Sequence, residues 1–270
     1  MDFALGLIKI EKWGTTRQEL EDLLNFSSNS AFLSAVNQEP IGMIFTISYD
    51  NFGFIGNLIV REEFRNQGIG QQLMQKAIKH LKKSGNSIIM LDGVPAAVDL
   101  YHRLGFRIYC KSLRLKGKNN FSPSNRVFRM ENEDIKDVLK LDLKYFQANR
   151  EFLLRKLLER YKSYCKIIKQ DKKITGYIMA IPKENYLKIG SWIVDDENKL
   201  EPELLLKGLN NKGNFSSIQM GMLESNKFAQ EIVKKCRLNP YSYSFRIIYT
   251  TENHNKGEVQ FRSGSFNSLS

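Results

Sequence analysis

The sequence predicts an α+β protein made of two successive domains that follow one plan. With 270 residues, the chain is longer than a single domain of ordinary size. Short apolar runs of strand length alternate with segments in which apolar residues recur at helical spacing. This order of helices and strands is repeated after a polar stretch near the middle, although few of the residues themselves are repeated. We therefore expect two copies of one α+β arrangement.

The first half is predicted to contain four helices and five strands. Two helices have N-cap signals, because Asp2 precedes the first and Thr16, with Glu19 three residues later, precedes the second. The sequence YDNFG, with Asp, Asn and Gly between two apolar runs, indicates a hairpin-like connection. The predicted helices are 5–13, 16–24, 68–83 and 96–104, and the predicted strands are 32–36, 41–48, 54–60, 87–91 and 107–113.

The polar sequence KGKNNFSPSN, which contains Gly, Pro and Ser, predicts a linker between the halves. We expect a first domain at 1–116, a linker at 117–126, a second domain at 127–250 and a loose polar tail at 251–270. The predicted strands of the second domain are 127–130, 164–169, 174–181, 186–194, 217–222 and 241–249. Its predicted helices are 134–145, 151–161, 202–209 and 225–235.

Composition excludes several classes of protein. No apolar stretch approaches the roughly 20 residues needed to cross a bilayer, and the N-terminus lacks the pattern of a secretory signal. We therefore expect a soluble cytoplasmic protein without a membrane partner. The three cysteines and three histidines are widely scattered, so we expect reduced cysteines and no metal site.

The formal net charge of +12 is spread over lysine-rich helix faces rather than concentrated in one basic block laced with aromatic residues. Lys76, Lys79, Lys82 and Lys83 are an example. This distribution favours a solvated surface over nucleic-acid binding, which we do not expect. A phosphate-rich ligand is the other interpretation, and charge by itself does not decide between them.

The sequence VREEFRNQGIGQQL, residues 60–73, passes from a strand through two glycines into a helix. The start of a helix presents backbone N–H groups without partners at the positive end of the helix dipole, where phosphates bind. Gly68 and Gly70 matter because a Cβ would keep a pyrophosphate away from those groups. Arg65 could share the charge. The alternative is a glycine-rich helix start without a ligand.

A second landmark is VPAAVDLYHRLGF, residues 94–106. Tyr101 lies on a helix that begins just after a short strand and stops at Gly105, with Phe106 packing behind it. Taken alone, such a tyrosine is more often a packed aromatic than a catalytic residue. Together, the two stretches are more specific, because their order, spacing and predicted structural context agree.

The sequence LIVREEFRNQGIGQQLM resembles the acetyl-CoA motif of the GCN5-related N-acetyltransferase (GNAT) superfamily, Arg/Gln-x-x-Gly-x-Gly/Ala, and LYHRLGF resembles its later tyrosine signature. The longer stretch LDGVPAAVDLYHRLGF is similar to tandem members, whose second half is a diverged acetyltransferase-like domain. DIKDVLKLDLKYFQANREFLLRKLL and IGSWIVDDENKLEPELLLKGL are similar to that second domain. The resemblance implies two tandem domains, each a mixed, mostly antiparallel sheet flanked by helices.

The resemblance also implies acetyl-CoA as the cofactor, held by the strand end and the glycine loop. The backbone of Leu58, Ile59 and Val60 would pair with the pantetheine amides, and the Val60 N–H would polarise the thioester carbonyl. Tyr101 would act as general acid on the thiolate. The expected pyrophosphate-binding residues are Arg65, Asn66, Gln67, Gly68, Ile69, Gly70 and Gln71. Since no cysteine stands near either motif, we expect direct attack by the amine in a ternary complex.

The general base is less clearly indicated, because residues 52–60 contain no acid. Asp92, at the end of the next strand, is the first candidate, with a helix cap or a turn residue as its alternative role. Glu62 and Glu63 are expected to be solvated loop residues, and His102 a surface residue.

Three departures from the family pattern are visible. The strand that usually precedes the first helix is missing, and Pro95 stands where many relatives place an asparagine. The second half has the acidic sequence WIVDDENKLEPELLL where a glycine loop would fall, so we expect no acetyl-CoA site there.

The leading hypothesis is an N-acetyltransferase acting on a primary amine of a small molecule or protein, as a monomer or homodimer. A non-catalytic acyl-CoA-binding regulatory protein is the alternative.

Overall fold

The computed structural model describes residues 1–27, 29–121, 124–195, 202–209 and 215–251, which belong to two compact units. The first unit contains Met1–Tyr109 together with residues from Phe245 onward, and the second contains Cys110–Ser244. No described helix has both the length and the apolar character that a membrane crossing requires.

In the first unit, four strands form a sheet in chain order, and a strand from the far end of the chain completes it. Strands β1 (Ala31–Val36), β2 (Glu39–Ser48) and β3 (Gly53–Val60) are antiparallel neighbours, and β3 is parallel to β4 (Ile88–Gly93). Residues 245–250 of β11 (Asn239–Thr250) pair antiparallel with β4. The helices are α1 (Asp2–Ile10), α2 (Arg17–Phe26), α3 (Ile69–Lys83) and α4 (Val98–Arg103).

Local signals in the first unit are confirmed except at the two ends of the first helix. Asp2 was predicted as its N-cap but lies inside its first turn, because the helix already begins with the bond from Leu5 N–H to the Met1 carbonyl, and the Asp2 carboxylate pairs with Arg17 instead. The capping box at Thr16 and Glu19 is formed, and β2 and β3 pair as the hairpin that YDNFG predicts. Helix α1 ends at Ile10 rather than at the predicted residue 13. The physical reason is that Lys12 adopts a left-handed backbone conformation, with φ of 56°, which a continuing α-helix cannot contain.

The second unit repeats the plan, with two antiparallel strand pairs followed by a parallel one. Strands β7 (Cys165–Gln170), β8 (Lys173–Pro182) and β9 (Tyr186–Val194) are antiparallel neighbours, and β9 is parallel to β10 (Ser217–Leu223). Strand β5 (Arg107–Lys118) is antiparallel to β10, and the short edge strand β6 (Phe128–Arg129) is antiparallel to β7. The helices are α5 (Ile135–Phe146), α6 (Glu151–Tyr161), α7 (Glu203–Leu209) and α8 (Lys227–Lys235). The predicted α+β fold class of two similar domains is confirmed.

Part of the predicted linker belongs to the sheet of the second unit. The start of the predicted linker is strand, because β5 continues to Lys118, which pairs with Ser217 in β10, and Asn119 N–H bonds to the Ser216 carbonyl at 3.0 Å. Polar residues are compatible with such a strand, since the ladder satisfies the backbone while side chains remain exposed. The division between the units falls after Tyr109. The predicted tail lies, from residue 252, outside the described residues.

Candidate functional site

Strands β3 and β4 separate partway along their length. They pair only over Gly53–Ile55 and Ile89–Leu91 in the described structure, although β3 continues to Val60 and β4 to Gly93. A β-bulge bends β3 after Gly56, where Asn57 adopts a left-handed φ of 50°. The later half of β3 therefore keeps β2 as its neighbour while its other edge turns away from β4.

The backbone of Val60 is directed toward the side from which β4 has withdrawn. The next residue, Arg61, donates its N–H to the Ile41 carbonyl at 2.8 Å, on the β2 side. Because backbone groups alternate sides along a strand, the N–H and C=O of Val60 point the other way. The Val60 carbonyl accepts a hydrogen bond from Arg65 Nε at 3.0 Å, which agrees with this direction.

The glycine loop opens the start of α3 to solvent. Gly68 is the N-cap residue of α3, with φ of 79°, and a Cβ built on it would meet no atom within 4 Å. No side chain caps the helix, so the N–H groups of its first turn have no acceptor within the helix. Asn66 also adopts a left-handed conformation, with φ of 61°. These exposed N–H groups at the positive helix end suit a bound anion.

Arg65 was expected to share the charge of a bound phosphate, but its side chain is bound to other groups of the protein. Its Nη2 donates to Glu11 Oε1 at 2.6 Å, while its Nε holds the Val60 carbonyl. The side chain therefore ties the loop to the end of β3 and to the end of α1. Gln67 is likewise used within the loop, where its Nε2 donates to the Glu63 carbonyl at 3.1 Å.

Tyr101 packs against the end of β4. A Cβ built on Gly93 would lie 2.5 Å from the Tyr101 Cε2, so only glycine lets the ring lie this close to the strand. Burial raises the pKa of Tyr101 to about 12, and the phenol therefore keeps its proton at neutral pH. Among the described residues its hydroxyl has no hydrogen-bond partner.

The structure brings the predicted site residues of the strand, loop and tyrosine helix into one cluster. Leu58, Val60 and Ile69 pack against the core cluster that contains Tyr101. Leu100 Cδ2, on α4, is 3.6 Å from the Cβ position of Gly70, so α4 contacts the first turn of α3. Asn66, Gln67 and Gln71 are exposed around this entrance, whereas Ile59 is buried in a separate cluster with residues of α1, α2 and β2.

Asp92, the expected base, forms a buried ion pair. Its two oxygens accept hydrogen bonds from Arg246 Nε at 2.5 Å and Arg246 Nη2 at 3.2 Å. The side chains are 5% and 0% exposed. The Arg246 guanidinium also lies 5.4 Å from the centre of the Phe54 ring on β3. Both oxygens are therefore committed to a cation that stands beside Asp92 in the β4–β11 ladder.

Sequence reasoning missed Arg246, which lies 154 positions from Asp92. The only available signal was an arginine within the apolar strand pattern FRIIY, since a charged residue at such a position needs a buried partner. The identity of that partner depends on strand pairing that no local pattern contains. Glu62, Glu63 and His102 are exposed, as expected.

Comparisons with known proteins identify the same two halves. Residues 6–106 match the model of the acetyltransferase (GNAT) family, and residues 138–261 match that of an acetyltransferase (GNAT) domain. The chain is 28% identical over 148 residues to the holothin acyltransferase of a Pseudoalteromonas species, an alignment that covers 54% of this chain and 49% of that protein. The chain spans about half the length of the curated relatives it matches.

Two solved structures support the fold over nearly the whole chain. A Pyrococcus horikoshii protein described as an acetyltransferase superposes with a TM-score of 0.77 at 19% identity, covering 100% of this chain and 90% of that one. A tandem GNAT protein from the clavulanic acid biosynthesis pathway gives 0.63 at 11% identity, with coverage of 94% and 95%. With a GNAT match in each half, a tandem relative of the same fold and the glycine loop in the first unit, the chain belongs to the GCN5-related N-acetyltransferase superfamily as a tandem member.

Proposed function

We propose that the protein is an acetyl-CoA-dependent N-acetyltransferase whose catalytic site is the cleft between the separated strands of the first unit. The observation that carries this proposal is the convergence of three features at one place. These are the free edge of β3, the uncapped start of α3 and the tyrosine held on the end of β4. Membership of an acetyltransferase family and the acyltransferase named among the relatives agree with it.

The residues present fit the cofactor. The space in front of Gly68 is open, and the uncapped first turn of α3 offers N–H groups to a pyrophosphate. The open edge at Leu58 and Val60 offers backbone partners to a chain of amides, while the backbone of Ile59, between them, faces β2. Bound acetyl-CoA would supply an acetyl group activated as a thioester. The proposed pyrophosphate-binding residues are Asn66, Gln67, Gly68, Ile69, Gly70 and Gln71, while Arg65 holds the loop through Glu11 and the Val60 carbonyl.

Two groups of the chain would do the chemistry of transfer. The Val60 N–H is directed into the cleft and would stabilise negative charge that develops on the carbonyl oxygen, an effect worth about 3 kcal/mol for one such donor. The Tyr101 hydroxyl would donate its proton to the leaving sulfur, and its raised pKa keeps that proton available across neutral and mildly alkaline pH. The acceptor amine would attack directly, without an acyl-enzyme.

Asp92 was predicted as the general base, and its ion pair favours a different role. A carboxylate with both oxygens bound to Arg246 is a poor acceptor for the proton of an amine. Asp92 directly precedes Gly93, on which Tyr101 packs, so we propose that the pair positions the tyrosine. The pH profile of Asp92→Asn separates the roles. If Asp92 is a positioning residue, Asp92→Asn lowers kcat at every pH and leaves the shape of the pH profile unchanged. If Asp92 is the base, the substitution removes the fall in kcat at low pH that protonation of the carboxylate causes.

The function is tested by binding and turnover together. Coenzyme A should raise the melting temperature, and acetyl-CoA with a panel of primary amines should release free thiol. Absence of both effects at millimolar cofactor would contradict the proposal.

A non-catalytic acyl-CoA-binding protein is the second candidate, and the commitment of Asp92 to Arg246 favours it. That function predicts thermal protection by coenzyme A with no thiol release for any amine in the panel. Thiol release that requires an amine would exclude it.

A further inference from the structure

The second unit contains a cavity of about 620 Å³ that has no part in the proposed acetyl-transfer site. It lies where the ends of β5 and α8 meet the first residues of β10 and β11. Its size is within the range of small-molecule sites, about 300–1,000 Å³. The lining residues are Lys116, Gly117, Lys118, Asn120, Phe121, Ser217, Lys235, Cys236, Arg237 and Asn239.

Four positive side chains line this cavity, and no acidic residue does. Lys116 and Lys118 are two residues apart on β5, so both project from the same face of the strand. Lys235 and Arg237 come from the end of α8 and the turn after it. Within the described ranges, none of the four side chains pairs with a carboxylate.

A glycine lets the turn after α8 lie close to β5. Gly117 lies between the two lysines of β5, and a Cβ there would be 2.4 Å from Leu238 Cδ2 and 3.2 Å from the Arg237 carbonyl. Any side chain at Gly117 would push the turn away from the strand. Arg237 itself adopts a left-handed φ of 54°, which an arginine seldom adopts. The close approach of the turn to the strand therefore depends on glycine at position 117.

The remaining lining supplies hydrogen-bonding groups and an apolar surface. Ser217 lies directly opposite Lys118 in the β5–β10 ladder, and the amides of Asn120 and Asn239 also line the cavity. Phe121 offers an aromatic surface. Burial raises the pKa of the Cys236 thiol to about 12, so the thiol adds no negative charge. Two charged residues outside the lining have opposite effects on the pKa of this thiol, since Glu203 raises it and Lys207 lowers it.

We propose that this cavity binds a diphosphate group, either as free pyrophosphate or as part of a nucleoside diphosphate. Two adjoining phosphates concentrate several negative charges in a small volume, which matches two pairs of cations around one cavity. Nucleic acid needs an extended charged groove with successive stacking surfaces. The compact cavity with one aromatic residue instead fits a small ligand.

Calorimetric titration of the full chain with pyrophosphate and with ADP tests this site. Because coenzyme A itself contains an adenosine diphosphate and would compete for this cavity, the first site is disabled instead by titrating all variants in a Gly68→Val background. The double variant Lys118→Gln/Arg237→Gln should weaken binding of both probes at least tenfold. The matched control Lys172→Gln/Lys173→Gln removes two exposed positive charges in the β7–β8 turn and should leave both affinities within twofold. Circular dichroism and melting temperature check that both variants are folded.

The aromatic residue distinguishes the two sources of the diphosphate. If Phe121→Ala weakens ADP but not pyrophosphate, the ligand is a nucleotide, and if it changes neither, the ligand is pyrophosphate itself. The proposal is overturned if neither probe saturates at millimolar concentration, or if both double variants lose affinity equally. Tighter binding of a single-stranded oligonucleotide with the same variant pattern would also overturn it. None of these outcomes affects the acetyltransferase proposal, which concerns the first unit.

Discussion

The two units share one packing contact between sheet and helix but differ in the loop beside it. In the first unit, a Cβ on Gly42 would lie 3.2 Å from Leu73 Cδ1 and 3.4 Å from Val60 Cγ2. In the second, a Cβ on Gly176 would lie 3.3 Å from Leu205 Cδ1 and 3.4 Å from Val194 Cγ2. Each glycine also pairs in register with the valine at the end of the next strand. This correspondence makes β3 and α3 the counterparts of β9 and α7.

The loop between these matched elements is where the units diverge. The first unit connects them through Gly68 and Gly70, whereas the second has the acidic sequence DDENKLEPE, of which residues 196–201 lie outside the described structure. The shared contact therefore does not by itself make an anion site. The proposed site of the first unit depends on glycines at the start of the helix, and a single acetyl-CoA site in this chain stays a prediction.

Each unit also buries an ion pair, and the two pairs have different surroundings. In the second unit, Arg150 binds Asp142 through Nε and Nη2, with Nη2 to Oδ1 at 2.6 Å, and Tyr177 donates to the same carboxylate. The Arg150 guanidinium lies 3.9 Å from the centre of the Phe146 ring. This pair fixes α5 and the start of α6 on β8, whereas the pair of Asp92 and Arg246 adjoins the proposed catalytic cleft.

The largest expected effects come from breaking these pairs. Arg150→Met and Arg246→Met each leave a buried carboxylate without its cation, so each should lower the free energy of unfolding by about 3–5 kcal/mol. Urea unfolding measures this loss. At low temperature, where the variants remain folded, only Arg246→Met should also lower kcat. Equal kcat losses in both variants would remove the functional difference between the pairs.

Tyr101→Phe should lower kcat about 100-fold, because a general acid contributes at least that factor. Coenzyme A affinity should change little, since the phenyl ring retains the packing on Gly93. Tyr109→Phe, at a tyrosine that is 42% exposed, is the matched control and should leave turnover unchanged. Full activity of the Tyr101 variant would exclude the proton-donating role.

Gly68→Val should separate backbone strain from loss of the anion site. Gly68 and Gly85, at the two ends of α3, have φ of 79° and 88°, and a Cβ on either would meet no atom within 4 Å. Valine at either position should therefore cost about 1–3 kcal/mol of stability through the left-handed backbone alone. Only Gly68→Val should also abolish thermal protection by coenzyme A. If Gly85→Val abolishes it equally, the glycine loop is not the binding site.

The smallest expected effect concerns the second unit, whose buried Cys165 thiol should make its free energy of unfolding fall as the pH rises above 9. Burial raises the pKa of Cys165 from 9.0 to about 12, so the folded state holds this proton more tightly than the unfolded state. The stabilisation is complete below pH 9 and is lost as pH rises toward 12. The free energy of unfolding should therefore fall between pH 9 and pH 10 by about 1 kcal/mol less in Cys165→Ala than in the unsubstituted protein. Cys110→Ala, at a partly exposed thiol, is the matched cysteine substitution for comparison.

The local structure and the chemistry-bearing motifs of this protein can be read from its residue types and their spacing. The capping box at Thr16, the hairpin after β2 and the helix after Gly68 follow from residue types and spacing within a few positions. The repeated order of elements predicted two similar units, and the motif around Tyr101 predicted the family. These features are readable because capping, turns and amphipathic periodicity depend on neighbours along the chain.

Tertiary structure alone decided what surrounds those motifs. The separation of β3 from β4, the return of residues 245–250 to the first unit and the pairing of Asp92 with Arg246 join segments that are distant in sequence. The polar residues at the end of β5 likewise form a strand because β10 supplies their hydrogen-bond partners. Partners across a ladder are selected by the whole sheet, so local periodicity predicts that a strand exists without specifying its neighbours.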